Sequence, residues 1–163
     1  MTAPLIYEAA SEAQTQRLGA ALARALPDGA VVALEGALGA GKTRLVQAIG
    51  AASGVAAGEV VSPTFVLIKE YQGARPIFHF DAYRLRDEDE FLELGPEEYF
   101  DRQGLTLIEW ASRVAGCLPA EHLQIMITVT GPESRRFTIH GRGRYAAVVD
   151  ALRDEVGKMV GGD

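Results

Sequence analysis

Ala30-Val31-Val32-Ala33-Leu34, an unbroken apolar run, is followed one residue later by Gly36-Ala37-Leu38-Gly39-Ala40-Gly41-Lys42-Thr43. Five consecutive apolar residues suit a strand covered on both faces, as in the centre of a parallel sheet. The next eight residues match G-x-x-x-x-G-K-[ST], a turn whose successive backbone N–H groups point inward around phosphate oxygens. Beyond it, Thr43 to Ala52 carries Leu45, Val46 and Ile49 at helical spacing. Strand, glycine-rich loop and helix in that order predict a doubly covered α/β sheet with an anion site at the helix start.

Each residue type in the loop has a physical task. Lys42 is expected to reach the β- and γ-phosphates, and the Thr43 hydroxyl to ligate Mg²⁺. The nucleotide contacts expected from this segment are Gly36, Leu38, Gly39, Ala40, Gly41, Lys42, Thr43 and Arg44.

Outward from the loop, Ser11 stands three residues before Gln14, with Leu18, Leu22 and Leu26 following at helical intervals, so residues 11–26 are expected to be a helix stopped by Pro27-Asp28-Gly29. Phe65 to Tyr71 and Pro76 to Tyr83, separated by Gln72-Gly73-Ala74-Arg75, are expected to form a hairpin. The run Asp87-Glu88-Asp89-Glu90 is read as the acidic first turn of a short helix halted at Gly95-Pro96, not as a metal cluster. Leu105 to Ile108, Leu123 to Thr130 and Arg136 to His140 read as further strands, and Tyr145 to Val160 as a closing helix. The expected fold is a phosphate-loop α/β domain over residues 1–163 with a frayed end at 161–163. Its central sheet is mostly parallel, with helices on both faces and antiparallel additions.

Bulk properties narrow the function. A length of 163 residues fits one domain, and a hydrophobic content of 48% supports a core. Acidic residues outnumber basic ones 22 to 16, for a net charge of −6, which disfavours direct binding to DNA or RNA. Cys117 is the single cysteine, which excludes an intramolecular disulfide and a multi-cysteine zinc site and suits a reducing cytoplasm. No basic start with a long apolar stretch and no membrane-length run is present, so neither export nor membrane insertion is expected.

A Mg²⁺ site beside such a loop needs a hard oxygen ligand at the end of a buried strand. Asp81 ends Ile77-Phe78-His79-Phe80-Asp81, and Glu109 ends Leu105-Thr106-Leu107-Ile108-Glu109. Spacing does not rank them; the preferred assignment puts Glu109 on the metal and Asp81 near it or its water, with the roles open to exchange. His79 shares a strand face with Asp81 and reads as a structural histidine with a possible bond to it. Ser62-Pro63-Thr64 is placed to sense the γ-phosphate as a switch segment.

The chain contains no asparagine and therefore no Asn-Lys-x-Asp guanine signature, which favours ATP over GTP. A small-molecule kinase remains the alternative, with Arg84, Arg86, Arg135 and Arg136 as candidate charges over a transferred phosphoryl group. A nucleotide sensor without turnover is a third reading.

The phosphate loop, then Ser62-Pro63-Thr64-Phe65, then His79-Phe80-Asp81-Ala82-Tyr83-Arg84-Leu85, then Ile108-Glu109-Trp110 together resemble the TsaE (YjeE) family. The likeness covers most of the chain, from the first helix at Ser11 to Gly19 to the acidic segment Glu90 to Phe100. It implies a cytoplasmic Mg²⁺-dependent ATPase that supports N6-threonylcarbamoyladenosine formation at tRNA position 37. It further implies action with the TsaB and TsaD proteins, whose complex its ATP cycle resets or regulates, with tRNA engaged only indirectly. By matching positions, Lys42 and the loop amides bind phosphates, Thr43 and Glu109 bind the metal, Asp81 assists hydrolysis and Thr64 is the switch residue. The resemblance also places Ser11 and Thr15 near the adenine and brings Trp110 and a late arginine, Arg136, to the nucleotide. Slow turnover is expected because no arginine finger is evident beside the loop.

Overall fold

The computed structural model describes residues 3–56, 58–60 and 68–161, with side chains to residue 158. Seven strands form one sheet in the order β1-β7-β6-β2-β5-β4-β3. Its centre is parallel: β2 (Ala30–Gly36) lies between β5 (Leu105–Glu109) and β6 (Leu123–Val129), and β4 (Ile77–Asp81) extends it beyond β5. The antiparallel additions are β1 (Leu5–Ala9) and β7 (Arg135–Gly141) at one edge and β3 (Ile68–Tyr71) at the other.

The unbroken apolar run of β2 is explained by its two neighbours above and below. Ala30, Val32 and Leu34 enter a core shared with α1 (Glu12–Ala25), α2 (Lys42–Ala52) and α5 (Ala146–Gly161). Val31 and Ala33 point the other way, into a second core with Phe78, Phe80, Phe91 and Val114, under α3 (Glu88–Leu92) and a 3-10 turn at Ala111–Cys117. Alternation along one strand thus supplies both faces of the sheet.

Local signals act as their chemistry dictates. Ser11 caps α1, its side chain accepting from the Gln14 amide, while the Gln14 side chain accepts from the Ala10 amide at 2.6 Å. Asp87 caps α3 in the same way through the Glu90 amide at 2.9 Å. Gly95-Pro96 ends that helix but also starts another, α4 (Pro96–Phe100), because proline at the first helical position sacrifices only an N–H that has no helical partner. The closing helix begins at Ala146, one residue later than its sequence pattern suggests, since Tyr145 sits in a short 3-10 turn.

α1 and α2 touch through a glycine. A Cβ placed on Gly19 would stand 2.4 Å from the Ala48 Cβ and 2.8 Å from the Ala48 carbonyl carbon, so the two backbones approach more closely than any side chain there permits. That contact positions the start of α1 beside the glycine-rich loop.

Candidate active site

β2, β5 and β4 run parallel in a register that pairs Leu34 with Glu109 and Glu109 with Asp81. Both carboxylates therefore emerge at the same end of the sheet as the loop that leaves β2, the end at which ligands bind in open parallel sheets. The loop is shaped by close approach and turn geometry. At Gly36 a Cβ would lie 2.7 Å from the Ile127 carbonyl oxygen, and Gly41, the residue before α2, has φ +111°. These two positions admit no side chain without strain.

Lys42 opens α2 and is almost wholly buried, at 4% exposure. Its ammonium donates to the carbonyl oxygens of Gly36 (2.7 Å) and Ala37 (3.0 Å) and lies 3.9 Å over the Trp110 ring. Burial lowers its pKa, while Glu109, Glu35 and Asp81 draw it back up. Thr43 Oγ1 donates to the Glu109 carboxylate, at 2.9 Å from Oε2 and 3.1 Å from Oε1. Glu109 Oε2 also receives the Nε2 of His79 at 2.5 Å, and His79 Nδ1 lies 3.0 Å from the Tyr71 hydroxyl. Asp81 Oδ1 accepts the Tyr83 amide at 2.9 Å. Burial raises the Asp81 pKa; the Tyr83 amide opposes the shift and the nearby Glu109 charge adds to it.

The donor set is chemically coherent. Amides at a helix N-terminus and a lysine suit an anion, and a hydroxyl with two carboxylates suits a hard divalent cation. Thr43 uses its one hydrogen on Glu109, which leaves the oxygen lone pairs for an ion. Among the described residues no group of three or more His, Cys, Asp or Glu is placed to hold a metal ion by itself.

Two adjoining clefts share Gly41 and Arg44. The smaller, about 430 Å³, holds Lys42, Thr43, Asp81, Glu109, Trp110 and Arg84. The larger, about 760 Å³, opens between the start of α1 and α2, with Glu12, Thr15, Gln47, Arg135 and Phe137 in its wall. Trp110 is the one described residue other than glycine with positive φ (+59°), a turn that folds its ring back against Tyr83 at a centroid distance of 4.9 Å and under Lys42.

Most residues singled out from the sequence are therefore brought together. Gly39, Gly41, Lys42, Thr43, Arg44, Asp81, Glu109 and Trp110 line the smaller cleft along with Leu38, which is 76% exposed in the loop. Thr15 lines the larger one, but Ser11 is occupied with capping α1 and lines neither. Ala40 is buried; its carbonyl accepts from Arg135 and its amide donates to the Ala37 carbonyl at 2.9 Å. Thr64, with Ser62 and Pro63, falls outside the described residues.

Three expectations need correction. Arg136 does not face the clefts; it pairs with Glu8 across β1 at 2.5 Å. Of these two neighbours it is Arg135 that reaches the loop, its Nε donating to the Ala40 carbonyl at 2.8 Å and Nη1 to Gly131 and Ser134. The reason is strand alternation: Phe137 and Ile139 face the helical core, so Arg135 shares their side and Arg136 takes the other. His79 bonds Glu109 on the neighbouring strand and not Asp81 on its own. Arginines do stand beside the loop, since Arg44 and Arg84 line the smaller cleft, although Arg44 is ion-paired with Glu12. Of the other basic candidates, Arg86 pairs with Glu90. Tyr71 and Tyr83 were not legible as site residues; only the aromatic content of the strand pattern marked them.

The sequence model of the family described as threonylcarbamoyl adenosine biosynthesis protein TsaE matches residues 9–137. The chain is 45% identical over 127 residues to the Bacillus subtilis tRNA threonylcarbamoyladenosine biosynthesis protein TsaE, covering 76% of this chain and 78% of that one. It is 37% identical over 129 residues to the protein of the same name from Treponema pallidum, covering 79% and 95% of the two chains. Its fold superposes on the crystal structure of Bacillus subtilis YdiB with a TM-score of 0.76 at 31% identity, over 98% of both chains. A glycine-rich loop that meets two strand-end carboxylates, within a match spanning most of the sequence, leads to one assignment: the chain belongs to the TsaE family.

Proposed function

We propose that this protein is a slow, Mg²⁺-dependent ATPase of the cytoplasm that supports N6-threonylcarbamoyladenosine formation at tRNA position 37. It acts with TsaB and TsaD, its ATP cycle resetting or regulating their complex, and touches tRNA only through them. Family membership supports the pathway. The observation that carries the chemistry is the line Thr43–Glu109–Asp81 across the N-terminus of α2, with Thr43 Oγ1 2.9 Å from Glu109 and Asp81 in register beside it.

In this reading the amides of Gly39 to Thr43 and the positive end of α2 hold the phosphates, and Lys42 exchanges the Gly36 and Ala37 carbonyls for phosphate oxygens. The nucleoside occupies the larger cleft beside Thr15. Thr43 and Glu109 hold Mg²⁺, which when bound neutralises phosphate charge. Asp81, its pKa raised by burial, is suited to orient the attacking water and accept its proton. Trp110 and Tyr83 wall the phosphate end. Arg44, one of the two arginines at the cleft, is paired with Glu12, which fits slow turnover without partners.

The test is ATP hydrolysis by wild type and Lys42→Ala, with and without TsaB–TsaD, with association followed by light scattering. Association and partner-stimulated release of inorganic phosphate, both abolished or sharply reduced in Lys42→Ala, are expected. No association and no change in turnover refute the proposal. Glu109→Ala is expected to weaken Mg²⁺-dependent nucleotide binding more than metal-free binding; equal effects would make Glu109 a structural acid.

A further inference from the structure

Glu109 is held by more than the loop. Its Oε2 receives two donors, Thr43 Oγ1 at 2.9 Å and His79 Nε2 at 2.5 Å, while among the described residues Oε1 has only the longer contact to the same hydroxyl at 3.1 Å. His79 is fully buried, and in its neutral form an Nε2–H directed at Glu109 leaves Nδ1 to accept from the Tyr71 hydroxyl. The ring is further fixed by packing on Tyr71, at a centroid distance of 5.9 Å. A chain of donors therefore runs from β3 through β4 to β5 and ends on one oxygen of one carboxylate.

The consequence concerns which cation the site prefers. Ca²⁺ takes six to eight oxygens and commonly uses both oxygens of a carboxylate, whereas Mg²⁺ requires a tight octahedron of single oxygens and retains water. A carboxylate with Oε2 occupied by two protein donors can present only Oε1, directly or through water. That suits Mg²⁺ and withholds the bidentate contact that Ca²⁺ favours.

We propose that His79, oriented by Tyr71, is a positioning residue that sets the metal preference of the site by keeping Glu109 a one-oxygen ligand. This rests on the reading of Glu109 as a metal ligand given under Proposed function. His79 touches neither nucleotide nor ion; it acts through Glu109.

The experiment measures binding of a fluorescent ATP analogue to the full chain by anisotropy, titrated with MgCl2 or with CaCl2. The readout is the ratio of the two midpoint concentrations, which a loss of general stability does not change. In His79→Leu the Mg²⁺ midpoint is expected to rise about tenfold, within the usual range for loss of a residue that orients a ligand, and the Ca²⁺ midpoint to fall, so the preference for Mg²⁺ shrinks by at least that factor. His79→Gln, which keeps an N–H donor near Nε2, retains the wild-type ratio. Tyr71→Phe, a milder change that decides the matter if His79→Leu does not fold, moves the ratio in the same direction by a smaller factor.

An unchanged ratio in His79→Leu, or in Tyr71→Phe when His79→Leu does not fold, overturns the proposal, as does loss of the preference in His79→Gln. If wild-type binding ignores both ions, the metal-ligand reading of Glu109 itself fails. Ion-dependent wild-type binding with unchanged variant ratios overturns only the role of His79.

Discussion

The Gly19–Ala48 contact gives a prediction whose sign depends on tertiary structure. Alanine is favoured over glycine by about 1 kcal/mol in a helix interior, so Gly19→Ala would stabilise α1 if the helix stood alone. In the fold the new Cβ would meet the Ala48 Cβ at 2.4 Å, the Ala48 carbonyl carbon at 2.8 Å and the Ile49 nitrogen at 3.0 Å. Two of those atoms are backbone and cannot escape by changing rotamer, so the helices must separate. Overpacking of this kind costs up to about 3 kcal/mol, and subtracting the propensity gain leaves a net loss of about 2 kcal/mol. For a chain of this size that is a fall in Tm of about 4–8 °C. Gly157 in α5 is the matched control, since a Cβ there meets nothing within 4 Å. Gly157→Ala is expected to gain about 1 kcal/mol from propensity alone. Urea and thermal unfolding of both variants decide the point. The larger cleft lies between the displaced helices, so Gly19→Ala is also expected to weaken nucleotide binding while Gly157→Ala leaves it unchanged. Equal stabilisation by the two substitutions would refute the close approach of α1 and α2.

Asp81 links stability to pH. Its folded pKa is raised, chiefly by burial, so the folded state binds more protons than the unfolded chain between the ordinary carboxylate value and the raised one, and stability from this group falls as pH rises through that window. Asp81→Asn is therefore expected to be more stable than wild type at pH 7 by chemical denaturation, with the difference vanishing near pH 4, and to lose hydrolysis; a variant less stable than wild type at pH 7 would contradict this. Arg135→Ala and Arg136→Ala form a second pair. Removing the guanidinium that ties Ala40 to Gly131 and Ser134 is expected to cost about 2 kcal/mol and roughly tenfold in nucleotide affinity. Breaking the exposed Arg136–Glu8 pair costs about 0–1 kcal/mol and no affinity, and equal effects in the two variants would return Arg136 to the site.

Much of this site was legible before any coordinates. Gly36 to Thr43 stands out because a loop suited to surround an anion with its own amides depends on a contiguous set of small residues and one lysine. Asp81 and Glu109 were legible because each closes an apolar run, which marks a strand end. The elements that followed sequence most closely, α1, β2, α2 and β5, are those whose caps and periodicities are local. The start of α4 at Pro96 was missed because proline signals both the end of one helix and the beginning of the next.

Sequence alone determined the glycine-rich loop, the strand–loop–helix unit that presents it, and the two strand-end acids that stand beside it, because each is written in a few neighbouring residues. Only the tertiary structure decided which acid meets Thr43, which of two adjacent arginines reaches the loop, and that His79 serves a carboxylate on the next strand. Those choices depend on strand order and register, which bring together residues dozens of positions apart. No local pattern encodes how β4 lies against β5 or how β7 turns its alternate faces, and a shift of one residue in either pairing exchanges every partner.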